Sequence, residues 1–186
     1  MMKRPSWMFI CSGLLVFSGA SAATGTEFLK MKSAEAEWEG RHKVVEIEIE
    51  TAASIPLDGK AGAFGFGALT DGTNNVLVLT THLPIDDSSH EQIPSGFHTH
   101  VLDLKSPGSA CPGANFEVDL ENSAQNSAFD ANYEWSIKGN KFEVEKVPAA
   151  NLGDAGVESL VSFTIKPILD VNQKPINLCV TIIDQI

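Results

Sequence analysis

Lys43-Val44-Val45-Glu46-Ile47-Glu48-Ile49-Glu50 alternates apolar and acidic residues without a break. Side chains along a strand point to opposite faces in turn, so Val45, Ile47 and Ile49 form one apolar row and Glu46, Glu48 and Glu50 one acidic row. A helix would scatter the same residues around its axis. The stretch is therefore a half-buried strand, with one face on a core and the other in water.

Working outward, the period of two recurs and helical periodicity is almost absent. Residues 61–70 and 76–82 read as strands joined by Asp71-Gly72-Thr73-Asn74-Asn75, whose glycine and asparagines suit a hairpin turn. Gly62, Gly65 and Gly67 do not make a phosphate-binding loop, which must open a helix; in a strand they mark a bulge or a close backbone approach. Residues 96–105 and 115–120 are further strands, and 133–137 with 142–147 form a second hairpin turning at Gly139-Asn140. The last two, 160–166 and 177–184, are apolar and rich in β-branched residues, with Pro167 and Pro175 bracketing their connection. About eight to nine strands without intervening helices predict an all-β fold, either an antiparallel Greek-key sandwich or a flattened barrel. Its long loops, 84–95, 105–114, 121–132 and 148–158, are the places for binding on such a scaffold.

The amino terminus has a different composition. Met1-Met2-Lys3-Arg4 precedes an apolar run over residues 7–17 and then Ser18-Gly19-Ala20-Ser21-Ala22, the pattern of a secretory signal peptide cleaved after Ala22. The run is far shorter than the roughly 20 residues of a spanning helix, and no later segment replaces it, so no transmembrane segment is expected in the mature chain. Cys11 leaves with the signal. Removing 22 of 186 residues leaves 164, residues 23–186, the length of one domain. That chain carries 11 Lys and Arg against 24 Asp and Glu, a net charge of −13 with neutral histidines. Such a balance disfavours nucleic acid and anionic membrane and permits a metal ion or a basic partner, a protein or a surface polymer. The expected location is the periplasm or the extracellular space. Two cysteines remain, and an even count in an oxidising compartment reads as one bridge, Cys111 with Cys179.

The motif with chemical content is Gly96-Phe97-His98-Thr99-His100. Histidines at i and i+2 of a strand project from one face and can share a metal ion, with a third ligand supplied by another element. His82, at the end of the neighbouring strand, and His90, in the loop leading to the motif, are the candidates. Asp86, Asp87, Glu91 and Asp103 offer carboxylates nearby, as ligands or as acceptors that orient an imidazole. Hydrolase elbows, zinc-protease helices, Cys-x-x-Cys pairs and phosphate loops are absent. Trp38, Tyr133 and Trp135 could form a carbohydrate platform, but Tyr133 and Trp135 share a strand face and read as core first.

The Gly-Phe-His-Thr-His string, the cysteine in the Gly/Pro-rich loop after it, and the strand Asn177-Leu178-Cys179-Val180-Thr181-Ile182-Ile183 together resemble the copper/zinc superoxide dismutases. The chordin-type domain, with its Gly-x-His-x-His strand, is also similar. The resemblance covers mainly residues 95–116 and 175–183. It implies a Greek-key barrel in which His98 and His100 are copper ligands, Phe97, Thr99 and Val101 face the barrel interior, and a disulfide joins the loop to the last strand. Asn115 stands where that family has its next copper-site histidine, no histidine follows His100, and no arginine precedes Cys179 to guide an anionic substrate. The expectation is therefore binding of copper or zinc without dismutase turnover, and no catalytic residue is assigned. The alternative is a metal-free binding or structural module for a protein or surface polymer.

Overall fold

The computed structural model describes residues 25–40, 44–70, 75–82, 85, 88–91, 95–152 and 156–186. The expected signal segment and the turn at 71–74 lie outside these. After a 3-10 turn over Glu27–Leu29 come β1 (Met31–Glu39), β2 (Val44–Thr51), β3 (Phe64–Thr70), β4 (Asn75–Thr81), β5 (His98–Lys105) and β6 (Phe116–Val118). A short helix α1 (Leu120–Gln125) follows, then β7 (Glu134–Lys138), β8 (Lys141–Pro148), a second 3-10 turn over Ala149–Leu152, β9 (Val157–Leu169) and β10 (Pro175–Gln185). Ten strands among the described residues exceed the eight or nine expected, because β1 escaped the sequence pattern. Its inward residues include Ala34 and Ala36, which carry little β propensity, and pairing with β2 is what makes it a strand. The loop expected at 121–132 likewise opens with α1, which Asp119 caps by accepting from Asn122 N at 3.3 Å.

The fold is all-β and antiparallel, and it resolves the choice between sandwich and barrel by using both. β1-β2-β8-β7 form a four-stranded sheet, while β10-β6-β5-β4-β3-β9 close into a barrel. Register shifts in β10 between Pro175 and Asn177 and between Ile182 and Asp184 bend the long β9/β10 ribbon. The ribbon thus reaches β6, where Cys179 lies opposite Glu117 and Val180 opposite Phe116, and the ring is shut.

Two cores result. Between the sheet and the facing barrel wall pack Val45, Ile47 and Ile49 of β2, Phe142 of β8 and Phe64 and Phe66 of β3. Phe66 stacks on Phe142 with centroids 5.5 Å apart. The second core fills the barrel, with Val78 of β4, Leu102 and Leu104 of β5, Val118 of β6, Phe163 of β9 and Val180 of β10. Gly65 and Gly67 allow this interior to close: a Cβ on Gly65 would stand 2.6 Å from Leu79 O and 2.7 Å from Phe163 Cζ. Pairing runs through both glycines without a bulge, so of the two readings the close approach is the correct one.

β5 belongs to both cores, and this sets the functional face. Val101 of β5 and Phe97 just before it pack in the core between sheet and barrel. Alternation then puts His98 and His100 on the face of Leu102 and Leu104, which is the barrel interior. Of Phe97, Thr99 and Val101, which the dismutase resemblance turns toward the interior, all are buried, Phe97 and Val101 in the core between the sheet and the barrel wall.

Candidate metal centre

His82, just beyond β4, and His98 and His100 of β5 come together inside the protein, with residue exposures of 5%, 1% and 2%. Thr80 pairs with His98, and Val78 with His100, so the β4/β5 ladder delivers all three imidazoles to one end of the barrel. One ring nitrogen from each lies within 4.8 Å of the others. His98 meets both neighbours edge-on, its ring centroid 4.7 Å from His82 and 4.6 Å from His100.

The hydrogen bonds fix which nitrogens face inward. His82 Nδ1 contacts Ile85 O at 3.1 Å, His98 Nδ1 contacts Gly96 O at 2.8 Å, and His100 Nδ1 contacts Phe129 O at 2.6 Å. A carbonyl oxygen has no proton to give, so each Nδ1 must carry one, and a neutral ring then keeps its lone pair on Nε2. Yet His82 Nε2 and His98 Nε2 lie only 3.0 Å apart. Two lone pairs do not face each other at that distance unless a proton or a cation sits between them. An ion bound at the usual zinc–nitrogen length of about 2.0–2.1 Å would hold tetrahedral ligand nitrogens about 3.3 Å apart, a few tenths beyond the observed separation.

The surroundings hold this geometry. The Phe129 ring stacks on His100 at 4.6 Å while its carbonyl takes the Nδ1 proton. Thr99 Oγ1 donates to Ala131 O, and Asp130 between them accepts from Ser88 Oγ at 2.5 Å and Ser89 Oγ at 3.1 Å. Burial pushes the Asp130 carboxyl up, but the bonds from Ser88 and Ser89, with His90 nearby, bring it below the ordinary value. The segment around 129–131 therefore clamps β5 on one side and the 88–91 loop on the other.

Of the four expected histidines, His82, His98 and His100 converge and His90 does not. His90 lies by Asp130, where its backbone N donates to Ser88 Oγ at 3.0 Å. Asp86 and Asp87 fall outside the described residues. Glu91 is beside His98, with Oε1 3.8 Å from Nδ1. Asp103 lies on the opposite face of β5, where burial and then Asp119 push its carboxyl up. Asn115 commits its side chain to β10 by accepting from Ile182 N at 2.9 Å. Tyr133 and Trp135 pack against the first core, and Trp38 is 44% exposed, so the three make no common platform. What the sequence did not disclose is Phe129 and the three carbonyl acceptors, since a backbone oxygen leaves no residue-type signal.

Elsewhere, Cys111 and Cys179 form a disulfide with Cα atoms 5.3 Å apart, joining the loop after β5 to β10. No helix among the described residues is long and apolar enough to cross a membrane. No protein-family model, curated protein or solved structure matches the chain, so its function must be argued from this geometry.

Proposed function

We propose that this is an exported metal-binding protein that holds one copper or zinc ion through His82, His98 and His100. The carrying observation is the pair of facing Nε2 atoms at 3.0 Å, inside a group whose Nδ1 protons are all committed to carbonyls. Imidazole nitrogen suits both metals, and three ligands leave room for a fourth from solvent or another group. Export is supported by the leader pattern of residues 1–22 and by the disulfide. A distant kinship with superoxide dismutase-like barrels is part of the reading, on the strength of the His-x-His strand and of a cystine that links loop and last strand. Its role is binding or storage, since the chain has no histidine after His100 to build a second metal site.

Metal analysis of protein purified without chelator tests this. One equivalent of copper or zinc is expected, lost in His98→Ala/His100→Ala, with superoxide consumption at background in copper-loaded protein. A metal-free protein whose stability ignores added copper(I), copper(II) and zinc(II) would overturn it. That outcome would favour the second reading, a metal-free module for a basic protein or surface polymer. Its supporting observation is the outer face of the four-stranded sheet, where Glu35, Glu48 and Glu143 line up across three strands.

A further inference from the structure

A carboxylate stands behind His98 and takes no part in the hydrogen bonding of the site. Glu91 has a side chain only 9% exposed, and its Oε1 has no hydrogen-bond partner. Its ion-pair contact is His98 Nδ1 at 3.8 Å, too long for a hydrogen bond, and that nitrogen already gives its proton to Gly96 O at 2.8 Å. Glu91 therefore does not orient the ring; it acts on the site through charge. A buried carboxylate oxygen without a donor is costly, and the cost falls when a positive charge is brought close. Imidazoles that ligate a metal are neutral rings, so in the metal-bound site they supply no such charge. A cation held on their Nε2 atoms supplies it, across the single ring of His98.

We propose that Glu91 is the counter-charge of the bound ion and the residue that makes the site favour divalent over monovalent metal. The proposal rests on the reading that the three histidines bind a metal. Coulombic coupling scales with the charge of the ion, so Glu91 favours a 2+ ion, in logarithm of affinity, twice as much as copper(I). A ligand or a purely structural prop would not give that ratio.

Competition titrations with zinc(II) and, under reducing anaerobic conditions, copper(I) separate the possibilities in wild type, Glu91→Gln and Glu91→Asp. Glu91→Gln is expected to weaken zinc by about 10- to 100-fold, the usual range for outer partners of a metal site, and copper(I) by only about 3- to 10-fold. Glu91→Asp recovers most of the zinc affinity. Equal losses for both ions, or none, in a wild type that binds metal would overturn the role of Glu91 and leave the histidine site standing. A wild type that binds neither ion would overturn the site itself. If the glutamine variant fails to fold, the aspartate variant decides, with the zinc and copper(I) losses again compared.

Discussion

Glu46 and Glu117 show how differently this chain treats its carboxylates. On the outer face of the four-stranded sheet Glu37 lies opposite Glu46, and Glu48 opposite both Glu35 and Glu143. Like charges directly across a sheet destabilise it. Burial first, and then Glu143, Glu145, Glu48 and Glu37, push the Glu46 carboxyl above its ordinary value. A raised folded-state value means that ionisation opposes folding, a penalty absent at low pH and complete once pH exceeds that value. Glu46→Gln should therefore stabilise the protein at pH 7 by roughly 0.5–1 kcal/mol, a gain that shrinks toward pH 4 and in high salt. Urea unfolding at the two pH values checks it, and a variant less stable than wild type at pH 7 contradicts it. Glu117 is the opposite case. Gly108 N at 3.0 Å, then Asn177 Nδ2 at 2.6 Å and Lys105 at 3.6 Å hold its carboxyl low. Its contribution is present above the unfolded carboxylate value and is lost as pH falls through the folded one.

At the scale of elements, β6 is the short member on which barrel closure depends. It spans three residues and pairs with β10 at two positions and with β5 at two. The Cys111–Cys179 bridge sits at this seam, and Glu117 ties the same loop to β6 and β10. With a separation of 68 residues, the chain-entropy model assigns the bridge about 4 kcal/mol, less native strain. Cys111→Ser/Cys179→Ser should lower the urea midpoint accordingly and raise hydrogen exchange first in β6 and the adjoining part of β10. Uniform loss of protection over all ten strands would mean that the seam is no separate weak point. These elements were unequally legible in the sequence. Alternating strands such as β2 announced themselves, and the two cysteines outside the expected leader left one pairing. β1 hid behind alanines, and ring closure depends on bulges in β10 that no residue pattern marks. The His-x-His pair was legible because strand geometry alone sets its direction. The choice of His82 over His90 was not, because it depends on the β4/β5 register and on the Asp130 clamp.

In the whole molecule the histidine site draws on three parts of the fold. His82 and Ile85 belong to the exit from β4, His98 and His100 to the barrel wall, and Phe129 to the segment that crosses toward β7. No unfolded chain holds three imidazoles in this arrangement, so an ion bound there adds to folding stability by mass action. At a free concentration 100 times its dissociation constant the gain is about 2.7 kcal/mol, or roughly 5–10 °C in Tm for a chain of this size. A protonated imidazole has no lone pair to give, and protons compete with the ion as pH falls into the histidine range, about 6.5 for a free ring. The zinc-induced rise in Tm should thus be full at pH 7.5 and largely gone at pH 5. The one other group able to gather around a cation, among the described residues, is Glu46, Glu48 and Glu143 on the outer sheet face. Carboxylates lose their charge at lower pH than imidazoles, Glu46 first because its carboxyl is pushed up, so an ion held there would keep more of its stabilisation at pH 5 than one held by the histidines. A calorimetric scan with and without zinc at pH 5 and 7.5 therefore reports where the ion sits: an increment largely retained at pH 5 moves it to the sheet, and one that vanishes there keeps it with the histidines.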